Sequence, residues 1–277
     1  MFNSMTAVLK SNSPLAPATT DPTAWAIKLF NVSPLKQRKL SMLLKMAGDN
    51  FQGQTCLDIG SDNGVISFLL RQRGGEWSSA DLIPETVDSI KQLVKENVFQ
   101  IDGEHTPFKD RQFDKVIIVD FLEHVVTDRE FIIELARILK PGGSLIINVP
   151  NPKEGLLRKL RYLLGQTDAK HGHVRPGYSA EDLKILLGQS FKIESTHAYG
   201  RIFSELFDTL MTAALDILKG KRGKKGTVVT ASDLGKLKKS FGIYKIIAPV
   251  MKIFVGLDVL VPFLHGNMLI VRAVKNG

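Results

Sequence analysis

Three carboxylates follow β-prone runs in the first part of this 277-residue chain. Asp58 ends the run that opens the segment CLDIGSDNG, Asp81 ends the next run, and Asp102 follows the third. Because an open α/β sheet binds its ligand at the carboxyl ends of its strands, these side chains are expected to face one site. A carboxylate after the second strand is well placed to accept hydrogen bonds from both hydroxyl groups of a ribose. The spacing therefore predicts a nucleoside-binding edge.

The turn after Asp58 indicates which nucleoside ligand would fit. It reads Gly60-Ser61-Asp62-Asn63-Gly64, whereas a dinucleotide site uses GxGxxG so that a pyrophosphate can approach backbone amides at a helix N-terminus. The carboxylates of Asp58 and Asp62 would lie close to a diphosphate and repel it. The same charges favour a ligand that carries ammonium and sulfonium groups and no phosphate, and S-adenosylmethionine is such a ligand.

The elements that must position these residues alternate between strand and helix. A helix with a Ser33 cap and Pro34 in its first turn comes first. Strands are predicted at 55–59, 76–81, 98–101, 115–120 and 144–149, with helices at 63–73, 84–96 and 127–139. A basic amphipathic segment, a polar loop, a helix at 179–188 and a strand at 191–199 follow. This alternation predicts a mostly parallel sheet that is covered on both faces.

Four segments, in order, resemble motifs of the class I S-adenosylmethionine-dependent methyltransferases, in the branch that includes quinone and small-molecule enzymes. LDIGSDNG resembles the family's LDIGCGTG loop, and SADLIPETVDSI resembles its second-strand segment. IDGEHTPFKDRQFDKVIIVDFLEHV and LARILKPGGSLIINVPN resemble the block that ends in LEHV and the strand entry that contains RVLKPGG. The resemblance covers roughly residues 35–200. It implies an α/β, Rossmann-like fold whose seven-stranded sheet has the order 3-2-1-4-5-7-6, with the last strand antiparallel, at 267–275.

The resemblance also implies roles for individual residues. Asp62 stands where the family usually has glycine, so its side chain is expected to narrow the loop or to hydrogen-bond within it. The implied cofactor-binding set is Asp58, Gly60, Ser61 and Gly64 around the methionine part, Asp81 on the ribose, Leu82 and Gly103 beside the adenine, Asp102 on its amino group, and Asp120 and Phe121 beneath the methyl donor.

Histidines after the fourth and fifth strands are candidates for the proton acceptor that a hydroxyl substrate needs. His124 lies in LEHV, and His171 and His173 lie in the polar segment KHGHVRPGYS. Each is interpreted as a catalytic residue or as a brace or helix cap for its own loop. Arg175 would pair with an acidic substrate group or a surface carboxylate, and Tyr178 would line the acceptor pocket or pack on the next helix. A metal site at the HxH pair His171 and His173 is the remaining alternative, but no metal is expected, because the sequence has neither a second cysteine nor an HExxH motif.

The resemblance divides the chain into three parts. Residues 1–21 are expected to form a mobile tail, residues 22–200 and 266–277 the methyltransferase domain, and residues 201–265 a helical insertion between strands six and seven. The insertion has an apolar helical face with the spacing of an amphipathic helix. That face comprises Phe203, Leu206, Phe207, Leu210, Ala214 and Leu218.

The net charge of +9 is concentrated in this insertion. Residues Lys219 to Lys239 contain eight Lys or Arg and one Asp, a net of +7, which leaves +2 for the rest of the chain. The insertion is interpreted as a lid over the acceptor pocket, or as a contact of residues 201–264 with an anionic membrane. The second interpretation favours a lipid, a quinone or a lipid-linked saccharide as acceptor. The basic run has no interleaved aromatic residues, which argues against nucleic acid as a partner.

The predicted function is methyl transfer from S-adenosylmethionine to a small-molecule, lipid or saccharide acceptor, at oxygen in the first instance. The alternatives are a methyltransferase of RNA or protein, a non-catalytic binding module and, more distantly, a nicotinamide oxidoreductase. The one cysteine, Cys56, is expected to be a small buried apolar side chain. The absence of a signal-peptide pattern predicts a cytoplasmic location, which would be at the membrane surface if the insertion binds lipid.

Overall fold

The computed structural model describes residues 22–152, 156–168, 172–219 and 234–277. The expected tail at 1–21, His171 and the glycine-rich basic run at 220–233 lie outside these ranges. The strands are β1 (Thr55–Ile59), β2 (Glu76–Asp81), β3 (Val98–Gln100), β4 (Phe113–Val119), β5 (Leu139–Pro150), β6 (Phe191–Tyr199) and β7 (Met268–Lys275). The helices are α1 (Pro22–Asn31), α2 (Pro34–Ala47), α3 (Val65–Arg71), α4 (Pro84–Val94), α5 (Asp128–Ile138), α6 (Leu156–Leu163), α7 (Ala180–Leu187), α8 (Ile202–Lys219) and α9 (Leu234–Leu257), with 3₁₀ turns at Leu122–His124 and Asp258–Leu260.

The seven strands form one sheet in the order β3-β2-β1-β4-β5-β7-β6. Strand β7 runs antiparallel to both of its neighbours, and the other pairs are parallel. This confirms the fold and the strand order that the sequence motifs implied. The carboxyl ends of β1, β2 and β4 therefore meet at one edge, as a ligand site in such a sheet requires.

Apolar side chains on both faces of the sheet hold it between helices. On one face, α5 and α7 cover a core that includes Phe113, Ile118 and Leu145. On the other, α2 packs Leu43 and its neighbours against Ile117. Central strands that are buried on both sides read as continuous apolar runs, which explains KVIIV and SLIINV. The sheet is thus a fixed platform for the polar residues at its edge.

The start of one strand differs from the sequence prediction, and two other local features agree with it. Strand β5 begins at Leu139 rather than at residue 144, because Leu139 already pairs with Phe113 and the turn before Ser144 shifts the register. Cys56 is buried, as expected, and burial raises the pKa of its thiol to about 12. Ser33 caps α2 by accepting the N–H of Lys36, as the sequence indicated.

The chain between β6 and β7 forms α8 and α9, which pack through Phe207 and Phe254 with ring centroids 5.3 Å apart. Helix α9 also contacts α1, where Trp25 meets Phe241 edge-on. The predicted apolar face of α8 is only partly covered, since Leu210 is 53% exposed. Across the residues that the structure describes, no helix combines the length and apolar composition that crossing a membrane requires.

Candidate active site

The turn between β1 and α3 brings the ends of two strands into contact. Gly60 has φ +84°, and a Cβ there would overlap the Val119 carbonyl oxygen and lie 2.6 Å from Phe121 Cβ. Gly64 has φ +78° and packs against the backbone of Ile90 in α4. Both positions need glycine for conformation and for space. The turn is therefore a tight, preformed loop at the carboxyl edge of the sheet.

The carboxylate of Asp58 is fully buried beneath this loop. One of its oxygens accepts hydrogen bonds from the hydroxyls of Ser61 and Ser67, both at 2.5 Å, and the other accepts from Ser79 at 2.7 Å. Burial raises the pKa of Asp58, and the three hydroxyls oppose that rise. Asp58 thus braces the loop from below. Ser67 and Ser79 are partners that the sequence analysis missed, since nothing in a single sequence pairs them with Asp58.

Asp62 occupies the left-handed region at φ +53° and its side chain is exposed. Glycine is the residue that adopts this conformation freely, and aspartate is one of the few others that tolerates it. The conformation gives a physical reason for the glycine that the family usually has there. The aspartate adds a negative charge beside the site.

Asp81 lies at the end of β2 with only 7% of its surface exposed. One carboxylate oxygen accepts the Ile83 N–H at 3.2 Å. Burial raises the pKa of Asp81 to about 6, and the nearby charges of Asp62 and Asp58 add to the rise. A ligand that donates hydrogen bonds to the ionised Asp81 carboxylate would stabilise that form and lower its pKa.

An apolar wall and a second carboxylate stand beside Asp81. A Cβ on Gly103 would lie 3.3 Å from Leu82 and 3.5 Å from Val125, so these three residues adjoin one another. Asp102 is exposed, and one of its oxygens accepts the N–H groups of Glu104 and His105, both at 2.7 Å. The His105 amide is the main reason why the pKa of Asp102 is lowered. Asp102 is therefore an ionised acid that also braces its own loop.

A polar network that the sequence analysis missed joins the ends of three strands and α2. Asp120 follows β4 in the left-handed region at φ +48°. Asn148 in β5 donates to one Asp120 oxygen at 2.7 Å, and Lys39 in α2 forms an ion pair with the other. Tyr199 at the end of β6 donates to Asn148 at 2.6 Å. Asn148, a polar residue inside an apolar strand, is the one sequence signal for this network.

The 3₁₀ turn after β4 brings two of the predicted histidines together. The rings of His124 and His173 are edge-on with centroids 4.9 Å apart. Nδ1 of His124 is 3.0 Å from the Gly172 carbonyl, so this nitrogen is the donor, and in the neutral ring Nε2 is then the acceptor. Ligand atoms of Glu123, His124 and His173 lie within 4.8 Å of one another, which among the described residues is the group that could hold a metal ion.

Arg175 and Tyr178 make contacts within the protein. Arg175 forms an ion pair with Asp128 and donates to the carbonyls of Val125 at 2.9 Å and Val126 at 3.0 Å. The Tyr178 hydroxyl lies 2.8 Å from the same aspartate, and its ring is buried. These contacts fasten the loop after α6 to the start of α5. A substrate-binding role for either residue stays a prediction, and bracing accounts for the contacts observed.

Comparison with known proteins identifies relatives of the sheet and its loops. Residues 57–147 match the family model described as a methyltransferase domain. A ubiquinone biosynthesis O-methyltransferase of Rickettsia bellii is 25% identical over 200 residues, which cover 69% of this chain and 75% of that protein. A demethylmenaquinone methyltransferase of Tropheryma whipplei is 28% identical over 98 residues, or 34% of this chain and 41% of that protein.

Solved structures share the fold. A putative sarcosine dimethylglycine methyltransferase from Galdieria sulphuraria has a TM-score of 0.55 and 15% identity, covering 87% of this chain and 86% of that chain. Phosphoethanolamine N-methyltransferase 2 of Haemonchus contortus, solved in complex with S-adenosyl-L-methionine, has a TM-score of 0.54 and 18% identity, covering 95% of this chain and 59% of that chain. The match of residues 57–147, together with the sheet order and the glycine turn at its carboxyl edge, shows that the chain contains a methyltransferase domain with the class I, S-adenosylmethionine-dependent fold.

Proposed function

We propose that this methyltransferase acts on a hydroxyl group of a small-molecule acceptor, with His124 as the proton acceptor. The observation that carries the proposal is the state of His124. Its Nδ1 donates to the Gly172 carbonyl, so Nε2 of the neutral ring is the nitrogen that could accept a proton, and His124 itself lies in the 3₁₀ turn after β4. The names of the relatives, which include a ubiquinone biosynthesis O-methyltransferase and a demethylmenaquinone methyltransferase, support a small-molecule acceptor.

The residues of the strand ends fit a cationic cofactor. The carboxylates of Asp58, Asp62 and Asp81 surround the glycine turn and interact electrostatically. In our proposal the turn cradles the methionine part, with Asp58 bracing it from below through Ser61. Asp81 accepts the ribose hydroxyls. The wall of Leu82 and Gly103 packs beside the adenine, Asp102 accepts from its amino group, and Asp120 and Phe121 lie beneath the methyl donor.

The chain's contribution to the reaction is chiefly alignment. S-adenosylmethionine, when bound, supplies an electrophilic methyl group. The protein must hold the acceptor oxygen in line with it at about 3 Å and provide a site for the proton that a hydroxyl loses. Asp120 is a poor candidate for that proton, because both of its oxygens already accept hydrogen bonds. We propose His124 instead, because its Nδ1 donates to the Gly172 carbonyl and Nε2 of the neutral ring could accept the proton.

Calorimetric titration with S-adenosylmethionine, S-adenosylhomocysteine and NADH tests the cofactor assignment. We expect micromolar binding of both adenosyl ligands, no binding of NADH, and loss of adenosyl binding in Asp81→Ala. Asp88→Asn, on the exposed side of α4, is the control for loss of a nearby carboxylate. Equal binding by the Asp81 variant and the wild type would refute the ribose assignment. A screen of phenolic, lipid and saccharide acceptors, with the position of the new methyl group read by mass spectrometry and NMR, then tests methylation at oxygen.

We further propose that the enzyme works at an anionic membrane surface. Helix α6 carries basic residues and buries none of its side chains, and Leu156 and Leu163 are 84% and 85% exposed. Helix α6 contacts α8, and α8 packs on α9. Phe263, which follows the 3₁₀ turn after α9, is 81% exposed. Residues Lys219 to Lys239, with a net charge of +7, lie in the insertion at 201–265 that also contains α8 and α9. Apolar side chains beside positive charge suit contact with anionic lipid.

Co-sedimentation with vesicles tests this surface. We expect binding to vesicles that contain phosphatidylglycerol, weaker binding to pure phosphatidylcholine, and release by salt. Leu156→Ser with Leu163→Ser should reduce binding severalfold. Ile185→Ser, at a comparably exposed apolar position on α7, is the matched control. Binding that is equal for neutral and anionic vesicles, or equal for the double variant and the control, would contradict the proposal.

A further inference from the structure

The network at the end of β4 has a defined direction for each hydrogen bond. Tyr199 donates to the Asn148 side-chain oxygen, and the Asn148 amide nitrogen donates to Asp120. Lys39 donates to the other Asp120 oxygen. The Asn148 side chain is fully buried and Tyr199 nearly so. Lys39 comes from α2, 81 positions before Asp120, and reaches across the strand ends to it.

The charged and titratable groups that face Lys39 come from three elements. Asp120 follows β4, Glu123 lies in the 3₁₀ turn, and Tyr199 ends β6, with Arg38 close to Tyr199. Burial lowers the pKa of Lys39, but the charge of Asp120, with a smaller share from Glu123, raises it further than burial lowers it. Burial raises the pKa of Tyr199. Across neutral pH, Lys39 is therefore a fixed cation and Tyr199 a neutral donor.

The ammonium of Lys39 can donate more hydrogen bonds than its ion pair with Asp120 uses. An ammonium carries three N–H donors, and Asp120 receives one of them. A quarter of the Lys39 side chain is exposed. In contrast, both oxygens of Asp120 are engaged. Without the Lys39 charge, the carboxylates of Asp120 and Glu123 would both oppose an anion near the end of β4.

We propose that Lys39 binds the acceptor and selects for a hydroxyl that ionises readily, such as that of a phenol or an enol. The inference rests on the proposed function, which puts the methyl donor above Asp120. The acceptor hydroxyl gives its proton to His124 Nε2, and Lys39 stabilises the resulting oxyanion. The oxygen then forms the O–CH₃ bond while the S–CH₃ bond breaks and leaves its electron pair on sulfur. Acceptors with a cationic amine in place of the hydroxyl are excluded by the same charge.

A chromogenic acceptor tests the proposal without requiring turnover. 4-Nitrocatechol changes its absorption when it ionises, so its pKa in the complex with enzyme and S-adenosylhomocysteine is measured by titration in a spectrophotometer. We expect the wild type to lower the pKa of the bound probe below that of the free probe. Lys39→Met should raise the bound probe's pKa by about one unit or more relative to the wild type. Lys39→Arg should restore most of the wild-type value.

Three further variants separate the effect of the Lys39 charge from the effect of disturbing the hydrogen-bond network. Asp120→Asn removes a negative charge and should lower the probe's pKa below the wild-type value, the opposite sign to Lys39→Met. Tyr199→Phe removes a hydrogen bond but no charge, so the pKa should stay within about 0.3 unit of the wild type if charge is what matters. Lys45→Met, at an exposed position in the same helix, controls for loss of a lysine.

The outcomes are distinct. Equal probe pKa values in Lys39→Met and wild type overturn the proposal, as does wild-type enzyme that binds S-adenosylhomocysteine but not the probe. Parallel loss of probe binding in Lys39→Met and Tyr199→Phe would assign Lys39 a structural role only, which also overturns it. Failure to bind S-adenosylhomocysteine would overturn the proposed function instead. If Lys39→Met does not fold, Lys39→Gln, which removes the charge and keeps a polar side chain, is measured in its place.

Discussion

Single side chains at the strand ends set the pH range in which the cofactor should bind. The pKa of Asp81 is raised from 3.8 to about 6. For the free enzyme, this favours the protonated acid, so Asp81 adds stability below pH 3.8 that is lost as the pH rises through 6. The loss amounts to roughly 3 kcal/mol at about 1.4 kcal/mol per unit. The ribose hydroxyls, in our proposal, require the ionised form.

We therefore predict that affinity for S-adenosylmethionine increases from pH 5 to pH 7 by about tenfold, since each unit below the pKa reduces the ionised fraction tenfold. Calorimetry in two buffers with different ionisation enthalpies should also detect proton release on binding near pH 6. Asp62→Gly removes a nearby charge and should move the midpoint to lower pH. An affinity that is flat between pH 5 and pH 7 would contradict the assignment.

His124 is the residue whose replacement should separate catalysis from cofactor binding. Asn in place of His124 retains a donor for the Gly172 carbonyl and lacks Nε2. We expect kcat/KM to decrease by about 10²- to 10⁴-fold, with unchanged affinity for S-adenosylmethionine. His197→Asn, in β6, is the control. Activity lost on adding a chelator and restored by a divalent cation would instead assign Glu123, His124 and His173 to a metal ion.

Substitution of Gly60 tests whether the loop after β1 requires the absence of a side chain there as well as the left-handed backbone conformation. Gly60→Ala should destabilise the fold by about 2–4 kcal/mol, from the left-handed conformation and from overlap with Val119. Gly142→Ala is a matched control, because Gly142 has φ +73° with no atom within 4 Å of the added methyl. Urea unfolding measures both. Equal losses in the two variants would show that crowding at Gly60 costs little.

At the scale of elements, the insertion depends on one buried carboxylate. Asp258 accepts the N–H groups of Arg201 at 2.8 Å, Phe203 at 3.1 Å and Ser204 at 3.3 Å, and also bonds the Ser204 hydroxyl. It thus caps the N-terminus of α8 from the end of α9, where negative charge also suits the helix dipole.

Removing this cap should loosen the insertion more than the sheet. We predict that Asp258→Ala costs about 1–3 kcal/mol and speeds proteolysis within residues 201–265. Asp208→Ala, elsewhere on α8, is the control. Hydrogen exchange followed by mass spectrometry compares α8 with β4. A uniform increase in exchange across both elements would argue against the insertion as a separately stabilised unit, a division of the chain that remains a prediction.

At the scale of the whole molecule, the alternating elements predicted a mostly parallel sheet, and the family resemblance carried by four ordered motifs implied its strand order. The acids at strand ends could be located for the same reason, since a strand's end is fixed by its sequence. The hydrogen-bond partners of these acids could not be located in this way. Lys39 reaches Asp120, and Tyr199 reaches Asn148, only because distant elements pack together. For Arg175 the sequence left a substrate and a surface carboxylate open, and the structure gives it Asp128.

The antiparallel pairing of β6 with β7 has an architectural consequence. Tyr199 and Met268 are register partners, so the chain leaves and re-enters the sheet at one point. Residues 200–267 therefore form the connection of a single hairpin, and each doubling of such a connection costs only about 0.6 kcal/mol in closure entropy. The sheet would tolerate a longer, shorter or different module there without a change of register. Residues 200–267 can thus be replaced as one segment, while the strand ends that carry Asp58, Asp81 and Asp120 stay in place.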